Sequence, residues 1–438
     1  MSALIPIVAE IVEIAFFAVA AIITVLSLQR LPLSTWQKRS LLYAIVFSVM
    51  TKIVLALLGS NFDMASYLIV NDLVAHGRSV YANTSRYNYG PIWAWLVSGF
   101  GHLAAGRAGA FHVWIAAFLG AVDVIIALAI ARVYTWTGAI VFLLSPLTLL
   151  ISGFHSQFDN LAVLIALLGW LLIRSGEPKL PRLMASAALV GLSLVTKHIL
   201  FLFPVWLLFW KPLGKVRHRV LYAGIAYGLF AVSFLPWIGD PASRAGILNN
   251  VFRYSSFYGN SLLGISVDAL VSLESFDARL HWIPLVSGLK AVWMMLMFVA
   301  GITVARKGSR DVYLVYLMFL YASTPSLTDQ YVVIPMLAAA VYCARWESWA
   351  FLIAGTLGLL ASRYDIGSVF YPTMRTVTLA GHAQDLRQVL SNTVWEICMV
   401  LGQVFIAALL AKKWLEERQA RIPEATAAVP DEDTIQAC

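Results

Sequence analysis

The segment Gly109–Ala131 reads GAFHVWIAAFLGAVDVIIALAIA, and Asp123 is its one charged residue. The hydrocarbon core of a bilayer is about 30 Å thick, and a helix needs about 20 mostly apolar residues to span it. The segment therefore predicts a transmembrane helix. Comparable apolar runs recur along most of the 438-residue chain.

The composition extends this prediction to the whole protein. Hydrophobic residues make up 60% of the chain and charged residues only 12%, whereas soluble domains carry about 25% charged residues. We predict an all-α, polytopic membrane protein with one multispan catalytic domain at residues 1–412. We expect residues 413–438 to form a disordered cytoplasmic tail.

The apolar runs between charged residues and Pro or Gly breaks predict about 13 spans. The two short runs that flank Lys197 are also compatible with one broken helix. The predicted spans are residues 5–28, 40–59, 109–131, 136–152, 158–173, 183–196, 199–210, 218–238, 284–305, 311–323, 329–344, 347–361 and 391–411.

Basic residues orient these spans, because Lys and Arg concentrate in cytoplasmic loops. With the N-terminus outside, the basic clusters fall on the inner side. Four polar segments then lie outside, at residues 60–108, 155–160, 239–283 and 362–390. Within the first, residues 91–104 predict an interfacial helix. Counting that stretch as a span instead would place residues 155–160 on the inner side.

The net charge of +8 does not indicate a nucleic-acid partner. The basic residues stand singly or in pairs at the ends of apolar runs, as topology signals do, and form no continuous basic stripe. Membrane lipids are the expected surroundings. The three cysteines are too few for a disulfide framework, and no metal-ligand spacing occurs, so we expect no metal or other cofactor.

Candidate site residues gather on the predicted outer side. Asp63 follows the second span, where a carboxylate could act as a general base; the alternative is a helix N-cap. Tyr87, Tyr89 and Trp93 form an aromatic cluster around Gly90-Pro91 that fits either a sugar platform or an aromatic belt. In HSQFDN, residues 155–160, Asp159 or Asn160 could cap a helix. The segment has four polar side chains, His155, Gln157, Asp159 and Asn160, which exceed what a cap needs and favour a binding site.

Further charged or polar residues stand within apolar runs or on the predicted outer side. Lys197 interrupts an apolar run, where an ion costs roughly 2.5–3.5 kcal/mol, so it is either functional or snorkels to water. Asp123 predicts a structural ion pair, with Lys52 as a suitable partner. Arg253 and the turn holding Asp329 and Gln330 add polar groups on the outer side.

Several of these segments resemble, in chain order, the GT-C superfamily of multispan glycosyltransferases that use polyprenyl-phosphate sugars. GRSVYANTSRYNYGPIWAWL (77–96) and TDQYVVIP (328–335) are similar to the catalytic mannosyltransferase of GPI-anchor synthesis. HSQFDN is similar to a motif of the dolichyl-phosphate-glucose glucosyltransferases, and GLSLVTKHILFLFP (191–204) resembles a Lys-to-Pro segment of this superfamily. Asp123 matches an intramembrane Asp of the GPI enzyme.

The resemblance implies a function and a set of roles. The enzyme would move a hexose, mannose rather than glucose, from a polyprenyl-phosphate donor to a lipid-linked or glycan acceptor, with inversion. Asp63 would be the general base, and Lys197 and Arg253 would bind the donor phosphate. The sequence departs from the pattern at Asn61, where the GPI enzyme has Asp. A divalent metal therefore has no paired carboxylate here.

An alternative function and an alternative membrane remain open. A multispan transporter or flippase of lipid-linked sugars would place its polar site near the bilayer midplane, often within internal repeats, and no clear repeat occurs here. The membrane is expected to be a bacterial or archaeal plasma membrane, with the endoplasmic reticulum as the alternative.

Overall fold

The computed structural model describes residues 4–253, 283–309, 311–325, 327–363, 376–379 and 382–419. This part of the chain is helical apart from two short antiparallel strands, β1 (Thr376–Leu379) and β2 (His382–Asp385), which pair Thr376 with Asp385. The predicted all-α class is therefore confirmed in its coarse form. Several of the helices are long and apolar, as in a membrane protein.

The N-terminal half contains three long helices, with shorter helices between and after them. Ser34 starts the second helix with a capping box, in which its hydroxyl accepts from the backbone N–H of Gln37 and the Gln37 side chain accepts in return. The helices are α1 (Leu4–Arg30), α2 (Thr35–Leu58), α3 (Phe62–Ala75), α4 (Val80–Asn83), α5 (Pro91–Leu103), α6 (Ala108–Val133), α7 (Trp136–Leu144), α8 (Pro146–Leu149), α9 (Asp159–Ile173) and α10 (Leu180–Thr196).

The second half contains more breaks. A single 3₁₀ turn, His198–Leu200, separates α10 from the next helix, which agrees with a broken helix around Lys197. The remaining described helices are α11 (Phe203–Phe209), α12 (Val216–Val232), α13 (Leu235–Ile238), α14 (Pro241–Gly246), α15 (Ile283–Arg306), α16 (Val312–Ser323), α17 (Met336–Val341), α18 (Trp346–Arg363) and α19 (Leu386–Gln419).

Helices of spanning length are fewer than the sequence predicts. Within the described ranges, four helices are long and apolar enough to cross a membrane, and the pair α7 and α8, bent by 51°, makes a fifth if it is one span. Six further apolar helices have 10–17 residues. The predicted count of about 13 spans is thus not confirmed.

Asn61, just after α2, lies close to the 155–160 segment. The Asn61 side-chain nitrogen is 3.2 Å from Nδ1 of His155. Helix α5 packs against α1, α3 and α6. Asp63 and the 155–160 segment are therefore neighbours in the fold, which agrees with the topology in which residues 91–104 do not cross the membrane.

The C-terminal helix is longer than expected. Because α19 continues to Gln419, the prediction of a disordered tail is wrong for residues 413–419; residues 420–438 lie outside the described residues. Lys412 pairs with Glu347 at 3.1 Å, and Arg345 pairs with Glu416. This basic end of α19 is thus anchored to α18 and the loop before it.

Small residues bring the helices around the site close together. A Cβ added to Gly169 of α9 would lie 3.0 Å from the carbonyl oxygen of Ser186 in α10. The Ser186 hydroxyl donates to the Gly169 carbonyl at 2.7 Å, and the Ser193 hydroxyl donates to the Ala162 carbonyl at 2.7 Å. Such contacts replace the hydrophobic driving force that helices lack in lipid, and they hold α9 and α10 in register.

Candidate active site

A cavity of about 710 Å³ collects most of the predicted site residues. This volume lies in the range of ligand pockets, roughly 300–1,000 Å³. Polar and aromatic side chains from seven separate segments line it. They are Asn61, Phe62, Asp63, Ser66, Ser85, Arg86, Asn88, Tyr89, His155, Lys197, Thr328, Asp329, Gln330, Tyr331, Ser362, Asn392 and Trp395.

Asp63 stands in the first turn of α3, and the N-cap of that helix is Asn61. The Asn61 side-chain oxygen accepts from the Asp63 backbone N–H at 3.0 Å. The interpretation of Asp63 as the cap is therefore wrong. Its carboxylate lines the cavity, where the Asn61 amide donates to Oδ2 at 2.8 Å. Among the described residues no other side chain donates to this carboxylate, so one oxygen can accept a proton from a ligand.

The segment 155–160 is shaped by unusual backbone. A π-helical turn, Leu150–Phe154, precedes it, and Ser156 has a φ of +53°. A residue with a Cβ adopts this left-handed conformation at a cost of about 1–2 kcal/mol, and π-helical turns and such outliers concentrate at functional sites. Helix α9 has Phe158 as N-cap with no side-chain hydrogen bond, so capping by Asp159 or Asn160 is excluded.

Lys197 forms a buried ion pair instead of snorkelling. Its ammonium donates to Oδ2 of Asp159 at 2.7 Å, with side-chain exposures of 4% and 0%. The nitrogen also lies 5.0 Å from the ring centres of Tyr89 and Phe158, in a cation–π arrangement. Because α10 ends at Thr196, Lys197 is in extended backbone and its side chain reaches the cavity.

Aromatic rings pack against one another next to these polar groups. Phe158 stacks on Trp93 with ring centres 4.1 Å apart and 11° between the planes, and it contacts Tyr89 edge-on at 4.8 Å. Trp93 and Tyr87 are almost fully buried, so the aromatic-belt interpretation is wrong for them. Tyr89 lines the cavity, as a sugar platform would.

The turn before α5 needs glycine at one position. A Cβ on Gly90 would lie 1.8 Å from the carbonyl oxygen of Val195, so only glycine lets this turn touch the end of α10. The Tyr87 hydroxyl closes the turn by donating to the Gly90 carbonyl and accepting from the Ala94 N–H at 2.9 Å. The contact fixes the backbone two residues before Lys197.

Burial shifts the pKa of Tyr67, a residue that sequence reasoning did not select. Burial raises the pKa of its phenol well above the ordinary value, and the carboxylates of Asp63 and Asp159 add to the shift. The hydroxyl therefore stays protonated at neutral pH. It has no hydrogen-bond partner within the described part of the chain.

Asp123 has the structural partner that its position predicts. The Lys52 ammonium lies 2.9 Å from Oδ2 of Asp123, both side chains are fully buried, and Lys52 also donates to Ser48 Oγ at 2.9 Å. Oδ1 of Asp123 accepts from the Asn160 amide at 2.6 Å. The prediction of a Lys52–Asp123 pair is confirmed, and through Asn160 it anchors the first turn of α9.

The remaining predicted residues divide by position. Asp329 and Gln330 line the cavity, and the Ser362 hydroxyl donates to Asp329 at 2.9 Å. Gln157 is fully buried and is not part of the cavity lining. Arg253 is exposed at the end of a π-helical turn and does not line the described cavity. Its assignment to the donor phosphate has no geometric support here.

Sequence reasoning missed several side chains of the cavity, among them Arg86, Asn392 and Trp395. The Arg86 guanidinium lies 4.3 Å from the ring centre of Phe62. Arg86 stands within the polar first outer loop, which offered a signal for it. The other two lie on the apolar helix α19, far along the chain, and no local pattern marks them.

Comparisons with known proteins add no family to this geometry. The chain matches no family model, no curated protein and no solved structure. The GT-C resemblance therefore stays a prediction. Within the described residues no group of three or more His, Cys, Asp or Glu side chains could hold a metal ion.

Proposed function

We propose that this protein is a membrane glycosyltransferase that moves a hexose, mannose rather than glucose, from a polyprenyl phosphate to a lipid-linked or glycan acceptor. One observation carries the proposal: Asp63, His155 and Lys197, drawn from three distant segments, line the same cavity. A carboxylate able to take a proton and a cation able to receive a phosphate are what such a transfer requires.

The proposed reaction uses the charges in a defined order. Asp63 accepts the proton of an acceptor hydroxyl while that oxygen attacks the anomeric carbon of the donor. The bond from this carbon to the phosphate oxygen breaks, and its electron pair leaves with the phosphate. Lys197 stabilises the phosphate charge, and attack opposite the leaving group inverts the anomeric configuration. Asn61, which binds both Asp63 and His155, holds the base in place.

Dimensions of α19 support a site at one face of the membrane. Trp395 lines the cavity and Lys412 pairs with Glu347 near the other end of the same helix. At 1.5 Å per residue these positions are about 26 Å apart along the axis, close to the thickness of a bilayer core. We propose that the cavity opens on the outer face of a bacterial or archaeal plasma membrane, or on the luminal face of the endoplasmic reticulum.

The arrangement of about 13 crossings belongs to this proposal. Most of the shorter apolar helices, such as α9 and α16, fall below the roughly 20 residues that a span needs. Paired end to end, as α10 and α11 are around Lys197, they would form broken spans. A transporter draws less support, because the intramembrane pair Lys52–Asp123 is sealed from the cavity and offers no site at midplane depth.

The decisive experiment measures sugar transfer by the purified protein in nanodiscs. The donors are a panel of polyprenyl-phosphate hexoses, and a membrane extract supplies acceptors. We expect transfer from one donor, and a loss of about 10²–10⁴-fold in Asp63→Asn, the usual worth of a general base.

The matched control is Asp72→Asn on the same helix. Asp72 is exposed and pairs with Arg78 at 2.7 Å, away from the cavity, so this variant should transfer normally. Unchanged transfer by Asp63→Asn would remove Asp63 as the base. No transfer by the wild-type protein from any donor would overturn the proposed function.

A further inference from the structure

One wall of the cavity comes from the last third of the chain, where the sequence analysis marks only Asp329 and Gln330 as candidates. Asn392 and Trp395 extend from α19, Ser362 from the end of α18, and Asp329 and Gln330 from the 3₁₀ turn before α17. We call these five residues the C-terminal wall. Their chemistry differs from that of the rest of the cavity.

Trp395 supplies a fixed aromatic plane. Its Cδ1 lies 3.8 Å from the position of a Cβ added to Gly358, so one edge of the ring packs on α18. The same side chain lines the cavity and is only partly buried. An aromatic-belt tryptophan would face lipid headgroups, whereas this ring offers surface to a ligand inside the protein.

Planar polar groups line the same cavity as this ring. Asp329 accepts from the Ser362 hydroxyl at 2.9 Å. The carboxamides of Gln330 and Asn392 each carry both donors and acceptors. A hexopyranose has an apolar face of C–H groups and a rim of hydroxyls that donate and accept. One aromatic plane with carboxylate and amide groups in the same cavity matches that pattern.

Charge separates this wall from the region around Lys197. Both Lys and Arg residues that line the described cavity, Arg86 and Lys197, come from the N-terminal half. Among the described residues that line the cavity, the C-terminal wall contributes the carboxylate of Asp329 and no Lys or Arg side chain. An anionic phosphate is disfavoured beside that carboxylate, so a donor phosphate belongs at Lys197 and its sugar next to it. The C-terminal wall is left for a neutral ligand.

We infer that the C-terminal wall binds a neutral hexose residue of the acceptor, so the acceptor of this enzyme is a glycan. This inference rests on the proposed function and names the second substrate of the same cavity. It also gives α19 a role: the helix carries an acceptor-binding tryptophan at one end and the ion pairs with α18 at the other.

Direct binding tests the inference without relying on turnover. Methyl α-mannopyranoside is titrated onto the full-length protein in nanodiscs and followed by saturation-transfer NMR, with and without saturating polyprenyl-phosphate hexose. We expect binding in both conditions, because the glycoside occupies the acceptor position. Trp395→Ala should weaken this binding at least tenfold, and Asn392→Ala about threefold, within the range of one lost hydrogen bond.

Trp414→Ala is the matched control, since Trp414 lies on the same helix, contacts Lys307 and is absent from the cavity lining. It should bind the glycoside as the wild type does. Polyprenyl phosphate without sugar is the second probe, and here the order reverses: Lys197→Met weakens its binding and Trp395→Ala does not.

The outcomes separate the two proposals. Glycoside binding that persists in Trp395→Ala, or that donor displaces, overturns the acceptor assignment while Lys197-dependent binding of polyprenyl phosphate still supports the transferase. If neither probe binds the wild-type protein, the proposed function fails as well. Should Trp395→Ala misfold, Asn392→Ala decides, because Asn392 is exposed and its unchanged binding would overturn the inference.

Discussion

The described residues contain two buried Lys–Asp pairs, and these pairs differ in what surrounds them. Lys52 and Asp123 join α2 to α6: the ammonium lies 2.9 Å from Oδ2 of Asp123 and donates to Ser48, and Asn160 donates to Oδ1 of Asp123. Lys197 and Asp159 join the broken end of α10 to α9. Lys197 lines the described cavity, whereas Lys52 and Asp123 do not.

The difference separates structural from functional charge. A buried pair that no ligand can reach serves to hold helices together. A pair beside a cavity can exchange one partner for a ligand. From the sequence both lysines simply interrupt apolar runs, so the distinction depends on their neighbours in space.

The largest effect should come from Lys52→Met, which leaves the Asp123 carboxylate uncompensated in a sealed interior. Breaking such a pair costs about 3–5 kcal/mol, measured as the free energy of unfolding in mixed micelles of SDS and mild detergent. The double variant Lys52→Met with Asp123→Leu should recover most of the loss. A single variant as stable as the wild type would show that the pair contributes nothing.

Lys197→Met should have the opposite profile. Because the cavity admits water beside this pair, we expect a loss of stability below that of Lys52→Met, about 1–3 kcal/mol. Binding of polyprenyl phosphate should fall roughly 10²-fold, since the cation that meets the phosphate is gone. Equal losses of stability in the two lysine variants, with phosphate binding kept by Lys197→Met, would erase the distinction between the pairs.

Gly90→Ala should give a smaller effect on phosphate binding than Lys197→Met and a similar loss of stability. The new methyl group overlaps the Val195 carbonyl, and forcing extra volume into a packed contact costs about 1–3 kcal/mol. The shift propagates to Lys197 and should weaken phosphate binding several-fold. Gly228→Ala in α12 is the control, because a Cβ there meets nothing within 4 Å. Similar behaviour of both variants in unfolding and binding would contradict a role for this close contact.

Much of the site could be predicted because its residues break local rules. Asp63, His155 and Lys197 are polar or charged where apolar packing is the norm, and this makes them visible in one dimension. The cap interpretation of Asp63 failed because Asn61, two residues earlier, took that position. Arg253 was selected because it is a cation in a predicted outer loop. It is exposed at a helix end, and such a position carries no information about a distant cavity.

The sequence by itself indicated that this is a membrane protein and that its polar segments suit chemistry. Hydropathy and charge act locally, residue by residue, and need no knowledge of the fold. Only the tertiary structure decided which lysine is sealed and which lines the cavity, that Asn61 touches His155 across 94 positions, and that Trp395 completes the site. These facts depend on how bent and broken helices pack, and packing is a property of distant contacts that no local pattern encodes.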